Sequence, residues 1–598
     1  MKVAEYIAEY LQSLGIKYVF GITGSAIADV YDSLRKFEDI DYVCVQHEQA
    51  AAMAAEGYAR ITENIGATLV TSGPGATNLI TGIACAWFDS IPCIYISGQV
   101  NSKFTKGDKP IKQVGFQEID IVSIVKPITK YAEMVKSAED IKYILDKATY
   151  LAKSGRPGPV LVDIPMDIQK ADIKPEELRG YTIEEKLKLD SQDVVEEKID
   201  IYIRELKKSK RPVILVGGGI RLSKSIKLLY DLLEKLKIPV VSTWAAIDVF
   251  PTEYPLFRDL IGTYGMRGAN FTIQNSDLLL ALGSGFSGRQ TGGMVDTFAR
   301  EAKRFVVDID TNQLKYQPVK GHVNINCDLK DFLKILKDKI SDESIPDFSD
   351  WIKKTREWKE KYPACLPEYY KEKSHVHTYV FMKTLSEEAK EGDIIVGDCG
   401  GNIVPLALSF IVKKNQRVYS SWANSPMGYA LASSTGACLA NNSSNNVICV
   451  IGDGGMQVNI QELQTIKNYN LPIKVFIMND RSYGIIKQYQ DIYLDSRYEA
   501  SGRGYSCPDF VKVSQAYGIE TETISNHSEL REKIRKVLSA KGAIICDVNL
   551  TPKTKLLPRL GWDTPIEDQY PYLDREEFYN NMFIEPLPNK SIEQTDLK

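Results

Sequence analysis

The alternation of apolar and polar positions along the chain predicts a protein built from helices and short strands in turn. Apolar runs of strand length occur at Gly66–Val70 and Pro92–Ile96, and each lies between stretches with helical periodicity. The first such stretch has apolar residues at Val3, Ile7, Leu11 and Leu14. Strands that alternate with helices are typical of βαβ units and of parallel sheets. We therefore predict an α/β fold with mostly parallel sheets.

The same pattern divides the chain into three doubly wound α/β domains. A charged stretch near residues 170–195 predicts a linker, and a second apolar series then begins at Arg211–Gly219. Residues rich in Lys, Glu, Trp and Tyr separate this series from a third one. The predicted domains are residues 1–175, a central Rossmann-like domain at 190–345, a third domain at 376–550, and a C-terminal tail at 551–598.

Composition excludes several classes of protein. The 598 residues carry a formal net charge of −4, which is no electrostatic footprint for nucleic acid. No apolar run has membrane-spanning length, and the amino terminus has no signal-peptide pattern, so we expect a cytoplasmic protein. The ten cysteines contain no Cys-x-x-Cys pair and are expected to be buried free thiols. His375 and His377 lack further ligands nearby in sequence, which disfavours a metal there.

One glycine-rich turn in the third domain has the chemistry of a metal and diphosphate site. The apolar run Val447–Ile451 ends in Gly452, Asp453, Gly454 and Gly455. Glycines let the backbone approach an anion, and an aspartate offers a hard oxygen to Mg²⁺. A second apolar run ends at Asn479 and Asp480, with 24 residues between Gly454 and Asn479. This paired spacing favours a thiamine-diphosphate motif over a routine strand-turn-helix.

The helix after this turn is predicted to begin with a capping box. Asn459 precedes Glu462 by three residues, which is the spacing at which both side chains satisfy free backbone N–H groups. The remaining N–H groups of such a helix can face a phosphate.

Glu48 is the second candidate acid. It stands where a short strand, Tyr42–Val45, meets an alanine-rich helix. Thiamine chemistry needs one carboxylate against the aminopyrimidine ring, and Glu48 is our candidate for it. The alternative is a glutamate that only complements the helix dipole.

These motifs, with others in the same order, resemble the thiamine-diphosphate enzymes of the acetohydroxyacid (acetolactate) synthase large-subunit type. The resemblance covers residues 1–550 and is carried by Val19–Gly21, His47–Ala50, Thr71–Asn78, Asp89–Pro92, Ser97–Val100, Phe116–Glu118, Ser154–Val160 and Pro472. It implies pyrimidine-binding, central and diphosphate-binding domains. It also implies a homodimer or homotetramer, because the cofactor of this family lies between the first domain of one subunit and the third domain of another.

The resemblance assigns the cofactor site residue by residue. Mg²⁺ is expected to bind the side chains of Asp453 and Asp480 and the carbonyl of Ser482. The family usually has Asn at the position of Asp480, so a negative charge is added here, for which Arg481 is the expected counter-charge. The expected cofactor contacts are Pro74, Asn78, Gly400, Gly401, Asn402, Met427, Gly452, Gly454, Gly455 and Ile485. Asn402 replaces the usual His, and Met427 is either the apolar wedge under the cofactor or a core methionine.

The resemblance implies that Glu48, Gln117, Ser25 and Lys130 are the catalytic and substrate-channel residues. Ser25 replaces a usual Gly, and its hydroxyl either bonds an acceptor's oxygen or caps the following helix. Tyr489 replaces a Trp that shapes the family's pocket, beside an apolar wall that includes Ile486. The donor side therefore follows the synthase pattern, whereas the acceptor side is altered.

FAD in the central domain is a further possibility. The matching residues are Arg156, Gly217, Gly218, Gly219, Arg289, Asp308 and Asp328. Gly285 and Ser287 replace an Arg and an Asp, and Tyr264 replaces a His. Loss of the guanidinium removes a bidentate anchor for a pyrophosphate. An empty Rossmann-like domain needs the same three glycines, so the sequence leaves FAD open.

The function that the resemblance implies is decarboxylation of a small 2-keto acid, with pyruvate expected, and transfer of the two-carbon unit to a carbonyl acceptor. One alternative is a 2-keto acid decarboxylase that releases aldehyde. The alternative of another class is a non-catalytic nucleotide-binding subunit. The candidate acceptors are pyruvate, 2-ketobutyrate and a keto-sugar nucleotide, and the altered residues Ser25 and Tyr489 keep the last among them.

Overall fold

The computed structural model describes residues 1–183, 187–340, 344–441 and 445–588. Parts of the predicted regions lie outside the described residues. These parts are residues 184–186 of the linker, 341–343 and 442–444 of the central and third domains, and 589–598 of the tail.

The described residues form three six-stranded sheets, and every pairing between neighbouring strands is parallel. The first sheet contains β1 (Tyr18–Ile22), β2 (Asp41–Cys44), β3 (Gly66–Val70), β4 (Cys93–Gln99), β5 (Tyr131–Met134) and β6 (Val160–Pro165). The second contains β7 (Pro212–Val216), β8 (Val240–Ser242), β9 (Phe257–Leu260), β10 (Leu278–Leu282), β11 (Lys303–Asp308) and β12 (Val323–Asn326). The third contains β13 (Ile394–Gly397), β14 (Arg417–Tyr419), β15 (Val447–Gly452), β16 (Ile473–Asn479), β17 (Glu520–Ile524) and β18 (Ile544–Asn549). The predicted α/β class is confirmed.

Helices accompany all three sheets. Those before the second sheet are α1 (Val3–Ser13), α2 (Ala28–Leu34), α3 (Glu48–Thr62), α4 (Pro74–Thr77), α5 (Ile80–Asp89), α6 (Ile121–Val125), α7 (Ile141–Lys153), α8 (Met166–Gln169) and α9 (Gln192–Leu206). Those of the middle of the chain are α10 (Gly219–Leu222), α11 (Ile226–Leu236), α12 (Arg267–Gln274), α13 (Gly288–Thr291), α14 (Thr311–Tyr316), α15 (Leu329–Ile340), α16 (Ser349–Lys361), α17 (Thr378–Glu388) and α18 (Ile403–Ser409). The remainder are α19 (Tyr429–Ala440), α20 (Asp453–Val458), α21 (Leu463–Asn468), α22 (Gly484–Tyr493), α23 (Phe510–Ala516), α24 (His527–Ser539) and α25 (Arg575–Asn580). Short 3₁₀ helices lie at Ser102–Phe104, Lys126–Ile128, Ala138–Asp140, Pro175–Glu177, Trp244–Ala246, Val295–Thr297, Pro367–Lys371 and Ile460–Glu462.

Strand order identifies where each sheet can bind a ligand. The first sheet runs β2-β1-β3-β4-β6-β5 and the third runs β14-β13-β15-β16-β18-β17, which is one order repeated. The second runs β12-β11-β10-β7-β8-β9, the order of dinucleotide-binding folds. Ligands of open parallel sheets bind at the carboxyl ends of the strands where the order reverses. Those points lie between β1 and β3, between β7 and β10, and between β13 and β15.

The chain divides into two compact units. The first comprises residues 1–186, 392–402 and 417–552, and it contains the first and third sheets. The second comprises residues 187–391, 403–416 and 553–598, and it contains the second sheet.

Within the first unit, helices α3 and α19 pack backbone against backbone. A Cβ atom at Gly436 would lie 1.8 Å from the carbonyl oxygen of Ala54, and one at Gly57 would lie 2.3 Å from that of Ser433. Both helices are rich in small residues, so their axes can approach closely. This contact joins the helices that follow β2 and β14.

A buried ion-pair network lies beside the same contact. The Arg60 guanidinium is 2.6 Å from a carboxylate oxygen of Glu56 and 2.6 Å from one of Asp89. Asp89 also accepts hydrogen bonds from the backbone N–H groups of Trp422 (2.8 Å) and Ala423 (3.1 Å). Burial raises the pKa of Glu56 to about 7, while Arg60 lowers it. The network therefore ties the helices of the first sheet to the loop after β14.

In the second unit, residues 553–588 pack against the domain of the second sheet. The Arg267 guanidinium donates to the carbonyl oxygens of Gln569 (3.0 Å) and Pro571 (2.6 Å). Arg575 of α25 pairs with Asp568 at 2.9 Å. The described part of the predicted tail is thus integrated into this unit.

The remaining compositional expectations can be compared with the structure. No helix in the described part of the chain is both long and apolar enough to cross a membrane. All ten cysteines are free thiols, five buried and five partly exposed. His377 stacks on Tyr369 with ring centroids 4.0 Å apart.

Candidate functional site

Three motifs of the third domain follow adjacent strands. Strands β13, β15 and β16 are neighbours in the sheet, so the residues after their carboxyl ends share one edge. The residues at that edge are Gly400, Gly401 and Asn402 after β13, Asp453 after β15, and Asp480 and Ser482 after β16. The structure therefore brings the predicted metal and diphosphate residues to the same edge of one sheet.

Asp453 is the first residue of α20 and is buried. Its Oδ1 accepts a hydrogen bond of 2.9 Å from the N–H of Gly454, whereas Oδ2 is buried with no hydrogen-bond partner among the described residues. Burial and the charge of Asp480 raise the pKa of Asp453 to about 7, while the Tyr505 hydroxyl lowers it. A buried carboxylate oxygen in this state needs a cation or a proton.

Asp480 turns back onto the loop that follows it. Its Oδ1 accepts the N–H of Ser482 at 3.0 Å, and a Cβ at Gly484 would lie 2.3 Å from its Oδ2. Burial raises the pKa of Asp480, and the charge of Lys487 lowers it. The positive charge of Arg481 acts on Asp547. Lys487 is thus a counter-charge that the sequence analysis missed.

The donor set at this edge fits a hard divalent cation. Besides Asp453 Oδ2, the side-chain oxygens of Asn402 and Ser482 are buried without a hydrogen-bond partner in the described residues. No three His, Cys, Asp or Glu side chains of the described residues gather into a metal cluster. A metal here would take two carboxylates, a neutral oxygen and oxygens of a bound ligand, which is a usual pattern for Mg²⁺.

Glycines of the Gly452–Gly455 turn are required by close approach. A Cβ at Gly454 would lie 2.5 Å from the ring of Tyr483 and 3.0 Å from the terminal methyl of Met427. Met427 itself is only partly buried. Its terminal methyl lies beside the turn, and its role as the wedge under the cofactor stays a prediction.

Asp398 was not identified from the sequence. It directly follows β13 and is buried, and its carboxylate accepts the N–H groups of Gly428 (3.2 Å) and Ala430 (3.0 Å). A Cβ at Gly455 would lie 2.1 Å from its Oδ2. Burial raises the pKa of Asp398 to about 6. The available signal was an aspartate at the end of an apolar strand, without the paired spacing that identified Asp453.

The predicted capping box at Asn459 and Glu462 is wrong. Helix α20 ends at Val458, and Asn459 makes no side-chain cap. Its amide donates instead to the carbonyl oxygen of Gly428 at 2.9 Å. The carboxylate of Glu462 accepts the N–H of Gln46 at 3.1 and 3.2 Å. Both side chains form tertiary contacts, and Glu462 supports the turn that precedes Glu48.

Glu48 is the first residue of α3 and is 8 % exposed. Its Oε2 accepts a hydrogen bond of 2.9 Å from the side-chain amide of Asn78. A Cβ at Gly75 would lie 3.4 Å from its Oε1. His47 caps the helix by accepting the N–H of Gln49, so the cap does not use Glu48. The structure thus joins Glu48 to Asn78, one of the predicted cofactor contacts, and Pro74 begins the short helix α4 just before Asn78.

Ser25 lies in the loop after β1, the strand between β2 and β3. Helix α2 begins at Ala28, and its N-cap Ile27 has no side-chain cap. The helix-cap alternative for Ser25 is therefore wrong. The hydroxyl is exposed at the same sheet edge as Glu48.

Gln117 has a strained backbone beside the same edge. Its φ is +62°, and a Cβ at Gly73 would lie 2.8 Å from its carbonyl oxygen. Phe116 next to it is 85 % exposed. Lys130 has a different environment, because its ammonium donates to the carbonyl oxygens of Ser154 (2.6 Å) and Arg156 (2.8 Å). These bonds anchor Lys130 to the loop before β6.

Helix α22 carries the expected wall residues. A methyl of Ile485 would lie 3.7 Å from a Cβ at Gly400, which places Ile485 at the glycine loop after β13. Ile486 and Tyr489 are 48 % and 46 % exposed, and Tyr489 contacts the ring of Tyr493.

The second sheet has its glycine turn at the point where strand order reverses. A Cβ at Gly217 would lie 2.1 Å from the carbonyl oxygen of Gly283, so close packing alone requires this glycine. At the end of β8, the hydroxyls of Ser242 and Thr243 are buried without hydrogen-bond partners among the described residues. Arg289 lies over the ring of Trp244 at 5.7 Å.

The other residues matched to FAD contacts have protein partners. Asp308 and Asp328 accept backbone N–H groups two residues ahead, at 2.9 and 2.8 Å. Arg156 belongs to the first unit, where its Nε donates to the hydroxyl of Ser90 at 2.8 Å. A Cβ at Gly218 would lie 3.3 Å from that of Ala245, which is slightly closer than an ordinary van der Waals contact.

Comparison with known proteins gives matches along most of the chain. Residues 1–124 match the N-terminal TPP binding domain of thiamine pyrophosphate enzymes, residues 199–336 the central domain, and residues 398–548 the C-terminal TPP binding domain. The acetolactate synthase large subunit of Buchnera aphidicola is 35 % identical over 559 residues, covering 93 % of this chain and 96 % of the relative. The acetolactate synthase isozyme 3 large subunit of Escherichia coli is 35 % identical over 543 residues, covering 90 % and 92 %. The probable acetolactate synthase large subunit of Methanocaldococcus jannaschii is 35 % identical over 566 residues, covering 93 % of each.

Proposed function

Because the chain belongs to the thiamine pyrophosphate enzymes of the acetolactate synthase large-subunit type, we propose that it decarboxylates a small 2-keto acid and transfers the two-carbon unit to a carbonyl acceptor. Pyruvate is the proposed donor. Bound thiamine diphosphate supplies the electron sink for loss of CO₂. The observation that carries the proposal is the hydrogen bond between the buried Glu48 and the partly buried Asn78 at the edge of the first sheet, matched by the unpartnered Asp453 oxygen at the corresponding edge of the third.

Each residue has a proposed task. Glu48 binds the pyrimidine ring and holds the proton that activates it, and Asn78 keeps that carboxylate in position. Asp453, Asp480 and the carbonyl of Ser482 hold Mg²⁺ against the diphosphate. The remaining diphosphate contacts are the glycines after β13 and β15 with Asn402, and Met427 and Ile485 form the apolar wall beside them.

The substrate side is assigned to Ser25, Gln117, Ile486 and Tyr489. Gln117 and Ile486 face the donor, and the Ser25 hydroxyl bonds the acceptor's oxygen. Lys130 is retained as a substrate-channel residue, and its bonds to two carbonyl groups make it a support for the loop before β6.

We propose a homodimer, or a homotetramer built from such dimers. In the described residues, Glu48 bonds to Asn78, and the N–H of Gln46, two residues before Glu48, donates to Glu462. No hydrogen bond among these residues joins Glu48 to Asp453. A second copy would place its diphosphate edge against Glu48, and the exposed side chains of Phe116, Ile486 and Tyr489 suit that contact. The proposed domains are residues 1–175, 190–345 and 376–550, and the proposed compartment is the cytoplasm.

FAD is proposed as a ligand of the second sheet without a redox role. The strand order and the unpartnered hydroxyls of Ser242 and Thr243 support it. Gly285 and Ser287 stand where the family has an Arg and an Asp that contact FAD, so we expect this protein to retain FAD only weakly during purification.

Carbon dioxide release tests the proposed function against a simple decarboxylase. The protein is incubated with thiamine diphosphate, Mg²⁺ and pyruvate, with and without a carbonyl acceptor, and CO₂ and products are measured. A carboligase for a foreign acceptor releases CO₂ slowly alone and faster when the acceptor is added. An acetolactate synthase is fast alone and yields acetolactate. Stoichiometric free acetaldehyde that no acceptor diverts would contradict the proposal.

A further inference from the structure

A lysine-rich loop lies beside the Glu48 site. We call residues Asn101–Glu118, between β4 and α6, the lysine loop. The loop contains four lysines and two acids, Asp108 and Glu118, in a chain whose net charge is −4. The lysines are Lys103, Lys106, Lys109 and Lys112. The loop is thus a local positive patch on an acidic protein.

The lysine side chains are available to an external anion. Lys103, Lys109 and Lys112 are exposed and Lys106 is partly so. Within the described ranges, none of the four makes an ion pair or a side-chain hydrogen bond, and Lys103 lies only over the ring of Phe104 at 4.9 Å. Exposed lysines are commonly interspersed with acids that neutralise them. Here two acids accompany four lysines, and the Glu118 carboxylate bonds to backbone N–H groups of the loop.

The loop is braced from within. The carboxylate of Glu118 accepts the N–H groups of Lys106, of Val114 at 2.8 Å and of Gly115 at 3.4 Å. The N–H of Gly115 also donates to the carbonyl oxygen of Phe104 at 2.9 Å. The partly buried carboxylate of Glu118 therefore fixes the backbone while the lysine side chains stay exposed, which lowers the entropy cost of binding.

The base of the loop meets the candidate active site. The carbonyl oxygen of Gln117, whose φ is +62°, would lie 2.8 Å from a Cβ at Gly73. Two residues further along the chain, a Cβ at Gly75 would lie 3.4 Å from Oε1 of Glu48. The same end of the loop exposes Phe116 and Val114. An acceptor with its carbonyl near Glu48 could therefore extend along the loop and place a second group among the lysines.

We propose that the lysine loop binds the phosphate or diphosphate group of the acceptor substrate. This inference rests on the proposed function and adds the substrate class. The keto acid loses CO₂, a bond forms between its former keto carbon and the acceptor's carbonyl carbon, and the acceptor's oxygen takes up a proton to become a hydroxyl. The phosphate group is unchanged and serves for recognition, for which lysine acts as a point charge.

Binding tests the loop independently of turnover. Full-length protein saturated with thiamine diphosphate and Mg²⁺ is titrated calorimetrically with uridine diphosphate and with inorganic phosphate. The K106E/K109E/K112E variant should bind uridine diphosphate at least ~10-fold more weakly, and wild-type binding should weaken as salt rises. The matched control is K330E/K334E/K353E, which makes the same charge change with exposed lysines of the second unit. Equal losses in both variants, or no loss in the loop variant, would overturn the proposal.

Steady-state kinetics then distinguish an acceptor that carries a simple phosphate from one that carries a nucleoside diphosphate. Pyruvate is the donor, and glyceraldehyde is compared with glyceraldehyde 3-phosphate as acceptor. The wild type should prefer the phosphorylated acceptor, and the loop variant should lose that preference with an unchanged KM for pyruvate. A nucleoside-diphosphate acceptor is indicated instead if uridine diphosphate inhibits transfer competitively and inorganic phosphate does not.

Two further outcomes separate a failure of the proposed carboligase function from a failure of the proposed phosphate binding. If no acceptor receives carbon from pyruvate, the proposed function fails, while the uridine diphosphate titration still decides the loop. If sedimentation shows that the loop variant dissociates and the control does not, the loop is a subunit contact and the phosphate proposal is wrong. Thermal unfolding of both variants confirms that each is folded.

Discussion

The side-chain amide of Asn78 donates a hydrogen bond of 2.9 Å to Oε2 of Glu48. These residues follow β3 and β2, strands separated in the sheet only by β1. The bond leaves Oε1 beside Gly75, where a Cβ would approach it to 3.4 Å. A carboxylate held on one oxygen and open at the other is suited to bind a ring nitrogen.

Glu48→Gln should therefore abolish activation of the cofactor without preventing its binding. An amide cannot hold the proton that a carboxylate holds, so exchange of the cofactor C2 proton with deuterium should slow at least ~10²-fold. Exchange is followed by NMR after acid quench, and cofactor affinity by calorimetry. Asn78→Ala, which removes only the support, should have a smaller effect. An exchange rate unchanged in Glu48→Gln would remove this residue from the mechanism.

Asp453→Ala should lose Mg²⁺ affinity and diphosphate affinity together, by ~100-fold or more, because Mg²⁺ held by this carboxylate would in turn help to hold the diphosphate. Asp480→Asn should be mild, since an amide oxygen replaces a carboxylate oxygen and a buried negative charge is removed. Calorimetric titration of Mg²⁺ in the presence of thiamine diphosphate measures both. Equal damage from the two substitutions would contradict the assigned ligand set.

Glu462→Gln should slow C2–H exchange ~10-fold while the protein stays folded. The Glu462 carboxylate accepts the N–H of Gln46 at 3.1 Å and so fixes the turn that carries Glu48, and small displacements of a catalytic group are costly. Gln464→Ala on the following helix α21 is the control, because the described residues show its side chain bonded only to Asn468 of the same helix. The role of Glu462 is excluded if exchange in both variants equals that of the wild type.

The purified protein should carry some flavin absorbance if the second sheet binds FAD. Chemical reduction of that flavin should leave turnover unchanged, because the proposed reaction transfers no electrons to it. Absorbance spectra before and after addition of FAD measure the occupancy. A colourless protein that is fully active and gains no bound flavin would reject this part of the proposal.

Sequence predicted the strands and the residues at their ends more reliably than it predicted side-chain partners. Apolar runs ending in Gly452 and Asn479 became β15 and β16 because burial on both faces selects such runs. Asn459 and Glu462 have the spacing of a capping box, yet both bond to residues distant in the sequence. Asn459 donates to the carbonyl oxygen of Gly428, and Glu462 accepts the N–H of Gln46. Asp398 gave no spacing signal, because its partners Gly428 and Ala430 lie far along the chain.

Gly436→Ala tests the packing that holds the two sheets of the first unit together. A Cβ there would lie 1.8 Å from the carbonyl oxygen of Ala54, so α19 must move away from α3. We expect the free energy of unfolding to fall by about 3 kcal/mol, at the upper end of the usual cost of overpacking. Gly542→Ala is the matched control, because a Cβ at that position meets nothing within 4 Å. Since α3 carries Glu48 at its first residue, the displaced helix should also slow C2–H exchange, whereas Gly542→Ala should change neither quantity. Denaturant unfolding of both variants measures the difference, and equal stabilities would show that the two helices do not pack as closely as the structure indicates.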